Sequence, residues 1–241
     1  LLLLARPKGE AFVLVCFWSP KGGAGTSVVA AAAAALMARR TPVRIADLAG
    51  DLPAIFGLAH DPELGVFDWL RAGATAPTDA LDHLQVEVAP NLALLPSGRR
   101  DLDDVLPESG AALAVALREG VPTLCDVGRV AHPSLGALAE IADANIIVVR
   151  GCYLTLRRAI HHPSTAFATG VILIDERGRS LAARDIEDVL GVPVLASIEA
   201  NASIARACDA GVLSTRVPDV LAKPLRHALV RMGCLDGRRA A

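Results

Sequence analysis

The chain has 241 residues, a formal net charge of −2 at pH 7, 53% hydrophobic residues and only 3% aromatics. That length suits one large α/β domain or two small ones, and the charge excludes a whole-domain basic field for nucleic acid, leaving only a local patch. The apolar content is mostly Ala, Val and Leu, which favours helices lying close on a buried parallel sheet.

The first ten residues, LLLLARPKGE, hold too short an apolar run for a signal-peptide core or a membrane span and lack an initial Met. We read residues 1–10 as the stub of a longer protein. No other uninterrupted apolar run reaches the roughly 18 residues a transmembrane helix needs. Residues 11–18 form a continuous apolar run, the mark of a buried strand. SPKGGAGTS comes next at 19–27, then SVVAAAAAALMARR, a strong helix former ending in arginines. PVRIAD is a short strand ending at Asp47. Two short helical pieces are expected over 52–58 and 64–73, a strand over 91–96 and a helix over 111–119. Residues 96–110 are the most loop-like stretch. PTLCDVG (122–128) is a strand carrying Asp126. A helix over 135–142, a strand over 145–150, a helix over 153–162 and a strand over 170–175 come next. After them a helix is expected over 183–191, a strand over 192–198 and helices over 202–211 and 220–232.

This alternation predicts an α/β, doubly wound, mainly parallel sheet with helices on both faces. Ligands of such sheets sit at the carboxyl ends of the strands. That edge would carry residues 19–27, Asp47, Asp126 and residues 151–153. The five cysteines form no C-x-x-C pair and the histidines no H-E-x-x-H, so we expect reduced thiols of a cytoplasmic protein, with neither a disulfide frame nor a zinc site.

A strand, a glycine-rich loop and a helix N-terminus make an anion site, because backbone N–H groups converge and the helix dipole adds positive potential. Gly22, Gly23 and Gly25 allow the unusual backbone angles, and Ser27 stands where a P-loop hydroxyl meets magnesium. The strict G-x-x-x-x-G-K-[ST] motif is not met: Pro20 replaces its first glycine and Thr26 its lysine. Alone, the loop could be a simple strand–helix turn. Asp47 and Asp126 could hold a magnesium shell or orient water, or serve as turn formers. Loop and acids together favour a nucleotide site.

These residues resemble the ParA/MinD group of deviant P-loop ATPases, over about residues 12–213. KGGAGTS is similar to that group's K-G-G-x-G-K-[ST]. VRIADLAGDLPAIFGL resembles the segment after its first helix, and residues 178–213 resemble its carboxyl segment. Within the group, the pattern is nearest the CpaE/TadZ-like branch, where a small hydroxyl residue can replace the second loop lysine. The resemblance implies a MinD/ParA-like domain over residues 11–241. It implies ATP or ADP bound by Lys21, Gly22, Gly23, Ala24, Gly25, Thr26 and Ser27, with Mg2+ held by Ser27 and Asp126. Lys21 and Asp47 are the implied catalytic residues, Lys21 reaching a partner's nucleotide across a homodimer. It further implies recruitment to a pole, septum or inner membrane face, with protein partners in a pilus, secretion or division apparatus. Chromosome or plasmid partitioning by an active ATPase is the alternative.

Three departures bear on turnover. Thr26 carries no charge to the phosphates. Ala49 stands where the family's D-x-D has its second acid, with Asp51 two residues on. Asp175 replaces a strand-ending Asn. Residues 153–162 suggest a basic helix with Arg157, Arg158, His161 and His162, most simply a solvated face. The final helix spaces Leu221, Leu225, Ala228 and Met232 for packing against the domain, and its Pro224 and lack of bulky aromatics disfavour a membrane role.

Overall fold

The computed structural model describes residues 14–73, 76–77, 79–103 and 105–235; the expected stub at 1–10 and the start of the first predicted strand lie outside these. The central strand β1 (Leu14–Trp18) is buried along its whole length. Its side chains alternate between two cores: Val15 and Phe17 enter one, and Leu14, Cys16 and Trp18 the other. That two-sided burial is why the strand reads as an unbroken apolar run.

Seven more strands complete one sheet: β2 (Val43–Asp47), β3 (Val86–Ala89), β4 (Leu92–Leu95), β5 (Thr123–Gly128), β6 (Ala144–Arg150), β7 (Gly170–Asp175) and β8 (Val194–Glu199). The order is β3-β4-β2-β5-β1-β6-β7-β8. Every pairing is parallel except β3 with β4. The chain builds outward on one side of β1, returns through β5, and then builds on the other side. Such a reversal opens a crevice at the carboxyl ends of the strands. β2 and β5 pair with Asp47 directly opposite Asp126, so both acids and the glycine loop after β1 share one edge, as expected.

One face is covered by α1 (Thr26–Ala38), α2 (Leu52–Ile55), α9 (Ala202–Asp209) and α10 (Asp219–Arg231). α1 is buried nearly all round, between the sheet and α10. Only a helix of alanines fits so close to a neighbour on each side, and its small residues cost no rotamer entropy. Leu221, Leu225 and Ala228 of α10, and Met232 at its C-cap, are buried, so the tail packs on the domain as its spacing predicts. The other face is covered by α3 (Val66–Ala72), α5 (Pro107–Leu117), α6 (Pro133–Ile141), α7 (Tyr153–Ile160) and α8 (Ala183–Leu190).

The sequence reading misses β3 and the short α4 (Ala80–His83). β3 is a half-exposed edge strand with little apolar signal, turning into β4 through Asn91 at φ 62; asparagine visits that left-handed region more readily than most residues. α5 begins four residues before the expected 111, with Pro107 in its first turn, where a missing N–H costs nothing. α7 ends at Ile160 and not at 162. His162 precedes Pro163, which disfavours helix. Its ring lies 4.5 Å from that of Trp18 and its Nε2 is 3.0 Å from the Val130 carbonyl. The expectation of four basic residues on one helix is therefore corrected: Arg157 and Arg158 are exposed on α7, and the two histidines lie beyond it. No helix among the described residues is long and apolar enough to cross a membrane.

Candidate functional site

Where β1 passes into α1, the chain curls through residues 19–25. Gly25 takes φ 92 at the N-cap of α1, a left-handed conformation that a side chain would strain. The Ser19 N–H donates to the Gly128 carbonyl at 2.8 Å, tying the loop to the end of β5. Ser19 Oγ donates to the Lys21 carbonyl at 2.8 Å and accepts from the Lys21 N–H at 3.3 Å. The first intrahelical bond runs from Val29 N to Gly25 O, so the first-turn N–H groups have no carbonyl upstream.

Beside this loop lies an open cleft of about 1050 Å3, at the upper end of small-molecule sites. It is lined by all seven residues expected to touch nucleotide, Lys21 to Ser27, and by Asp51, Arg100, Arg129 and Arg150. Residues 151–153 share the sheet edge but line a neighbouring cleft of about 560 Å3.

The two strand-ending acids differ. Asp47 is fully buried. Its Oδ1 accepts from Ala49 N at 3.0 Å and Gly50 N at 2.6 Å, and its Oδ2 accepts from Leu52 N at 3.2 Å. Burial raises its pKa while these three N–H groups pull it back. It folds the turn that carries Asp51 and, like Asp126, is not among the residues bordering the cleft. Asp51 is: it is exposed, and its Oδ2 accepts from Ser27 Oγ at 3.3 Å.

Asp126 is also fully buried. Its Oδ1 accepts from Gly128 N at 3.1 Å, but its Oδ2 has no hydrogen-bond partner. Burial pushes its pKa up to about 7; the Ser27 hydroxyl lowers it and the charge of Asp47 raises it further. A buried carboxylate oxygen without a partner is costly and marks a place for a cation. The donors there are Ser27, Asp126 and Asp51, all hard oxygens of the kind magnesium takes alongside water and phosphate. Among the described residues, no three His, Cys, Asp or Glu side chains converge to hold a metal by themselves, which a hydrated magnesium does not require.

The sequence reading overlooks Arg100 and Arg129, whose only signal is position: Arg129 lies three residues past Asp126, and Arg100 five past the end of β4. Asp175 ends β7 exposed and does not border the cleft.

This sheet order, with a glycine loop leading into the first helix, is the MinD/ParA-type P-loop fold. MinD of Pyrococcus horikoshii, solved with Mg-ADP, superposes with a TM-score of 0.74 at 20% identity, covering 95% of this chain and 98% of that one. A ParA family ATPase from Chlorobium tepidum gives a TM-score of 0.71 at 21% identity, covering 91% and 98%. In sequence, two uncharacterized Mycobacterium tuberculosis proteins, Rv3660c and MT3760, are each 26% identical over 238 residues, a match covering 93% of this chain. The chain spans 65% of the length of these relatives. No family model matches the sequence.

Proposed function

We propose that the chain is a MinD/ParA-like nucleotide-binding switch or scaffold, with weak or absent hydrolysis, that positions a polar, septal or pilus and secretion apparatus. The observation that carries the reading is the buried, unpartnered Oδ2 of Asp126 near the Ser27 hydroxyl, next to Val127 and Gly128, which line the cleft together with the glycine loop. The N–H groups of residues 22–27 receive the phosphates of ATP or ADP. Ser27 and Asp126 hold hydrated magnesium, which when bound neutralises phosphate charge. Lys21, half-buried at the front of the loop, reaches a nucleotide in a second copy, as the ParA/MinD resemblance implies.

Two features weaken turnover. Thr26 is uncharged and buried at the start of α1. Ala49 offers only a methyl group where a water-positioning acid is expected. Phosphoryl transfer depends on both charge and placed water, so the nucleotide acts chiefly as a ligand that shifts an equilibrium between states. Asp47 supports the site indirectly, by folding the turn that brings Asp51 to Ser27.

Equilibrium titration with ATP and ADP, with and without magnesium, tests binding; the absence of any binding would end the reading. A phosphate-release assay then separates switch from motor. We expect turnover far below about 1 s⁻¹, the lower end of ordinary enzymes. A second reading, a slow ATPase for partitioning or division-site placement, is favoured by the Ser27–Asp51 contact of 3.3 Å. Steady turnover that is lost in Asp51→Ala, with ATP binding retained, would establish that reading.

A further inference from the structure

A nucleotide's phosphates bring several negative charges into a cleft whose loop lacks the second lysine. A helix N-terminus supplies only about half an elementary charge, so beyond the magnesium proposed above the remaining compensation falls to side chains. Among the described residues, four cations border the cleft: Lys21, Arg100, Arg129 and Arg150. Arg150 is ion-paired through Nη1, 2.6 Å from Glu176 Oε1, although its Nε has no partner. Among the described residues, Arg100 and Arg129 have neither a carboxylate within ion-pair distance nor a hydrogen-bond acceptor.

Both are held against the loop's surroundings by the backbone. Arg129 comes directly after Gly128, whose carbonyl accepts from Ser19 N. Its aliphatic stem lies over the loop, such that a Cβ placed on Gly22 would meet Arg129 Cδ at 3.5 Å. Arg100 follows β4, on the same side of β1 as Arg129, and lies over the turn that Asp47 folds. A Cβ on Gly50 would lie 2.8 Å from Arg100 Nη1 and 2.9 Å from its Cδ, and Gly50 itself sits at φ 92, so glycine there leaves room for the guanidinium. The segment carrying Arg100 is pinned on both sides: Arg71 Nη1 donates to the Arg99 carbonyl at 2.8 Å and to the Asp101 carbonyl at 3.2 Å.

Resting on the nucleotide reading above, we infer that Arg100 and Arg129 are the phosphate clamp of this cleft, replacing the charge that Thr26 lacks. A guanidinium presents a planar fork that matches two phosphate oxygens and stays charged at every physiological pH. The ligand class is a nucleoside di- or triphosphate, its phosphates held against the loop by the two guanidinium groups. The alternative for two exposed loop arginines is ordinary solvation, and affinity measurements separate the two.

The test uses the full chain, titrated with ATP and with adenosine, in the wild type, Arg100→Ala, Arg129→Ala, Arg129→Lys and the double Arg100→Ala/Arg129→Ala. Both side chains are exposed, so unchanged melting temperatures are expected and verify folding. Each single alanine variant should weaken ATP about tenfold, as expected for loss of one charge-assisted contact, with adenosine unaffected. Arg129→Lys should recover part of the loss, and adding Thr26→Lys to Arg129→Ala should recover most of it. If the wild type binds ATP and the double variant binds equally well, the clamp is refuted and the nucleotide reading survives. If the wild type binds neither ATP nor ADP, both fall together.

Discussion

The ends of β2 and β5 look alike in sequence and do opposite things. Each strand runs apolar into an aspartate, the two aspartates pair directly across the sheet, and both are fully buried. Asp47 has three backbone N–H groups on its oxygens. Asp126 has one, and its second oxygen is unpartnered. The difference arises in the backbone just past each aspartate. After Asp47 the chain turns back through Ala49, Gly50 and Leu52, and that turn satisfies the carboxylate. After Asp126 the chain leaves through Gly128, and only Gly128 N reaches back. A strand-end acid that is saturated by its own turn builds structure; one left unsatisfied directly before the residues that line a cleft has an oxygen to offer a ligand.

Removing the saturated acid should do the greater damage to stability. Asp47→Ala strands three N–H groups, and each buried donor left unpaired costs about 1–3 kcal/mol. Allowing for partial rescue by water, we expect a loss of about 3 kcal/mol, or ~6–12 °C in melting temperature for a chain of this size. A melting temperature within a degree or two of the wild type would show that the turn does not depend on Asp47.

Asp126→Asn should act in the opposite direction and depend on pH. The folded pKa of Asp126 is raised to about 7 from 3.8, so the folded state binds its proton more tightly than the unfolded state does. Stability of the ligand-free protein therefore falls as pH rises from about 4 to about 7, and levels off above. The amide carries no charge to bury, so Asp126→Asn should melt several degrees higher than the wild type at pH 8 and nearly match it at pH 4. Melting curves at the two values check this; a difference independent of pH would place the cost elsewhere.

A smaller effect is expected at the loop itself. Thr26→Lys should tighten ATP about tenfold, equivalent to about 1.4 kcal/mol. Unchanged affinity would mean that position 26 does not meet phosphate, or that Arg100 and Arg129 already saturate the charge requirement. The variant lacking both arginines decides between these.

Much of the fold was legible because its signals are local and strong. β1, β5 and β6 are continuous apolar runs, α1 is a run of alanines, and the glycine loop sits between a strand and a helix. The parallel alternation then put the loop and both acids on one edge. The elements that escaped lack such signals. β3 is half-exposed, and α4 is a four-residue turn. Asp51 was a candidate of unknown direction, and the 3.3 Å contact with Ser27 supplies the direction; Ser27 borders the cleft, while Asp126 is buried next to Val127, which does. The different fates of Asp47 and Asp126 were not readable, because the identity of the residue is the same and only the backbone behind it differs. Arg100 and Arg129 were not readable either, since exposed loop arginines are common and only the glycines they lie over set these two apart.

The central claim is tested most directly by the effect of magnesium on ATP affinity at pH 8, measured by calorimetric titration in the wild type and in Asp126→Asn. Magnesium should tighten ATP in the wild type, because Asp126 Oδ2 gains the cation it lacks, and this gain should largely disappear in the variant. Equal tightening in both proteins, or none in the wild type, would contradict a magnesium site at Asp126.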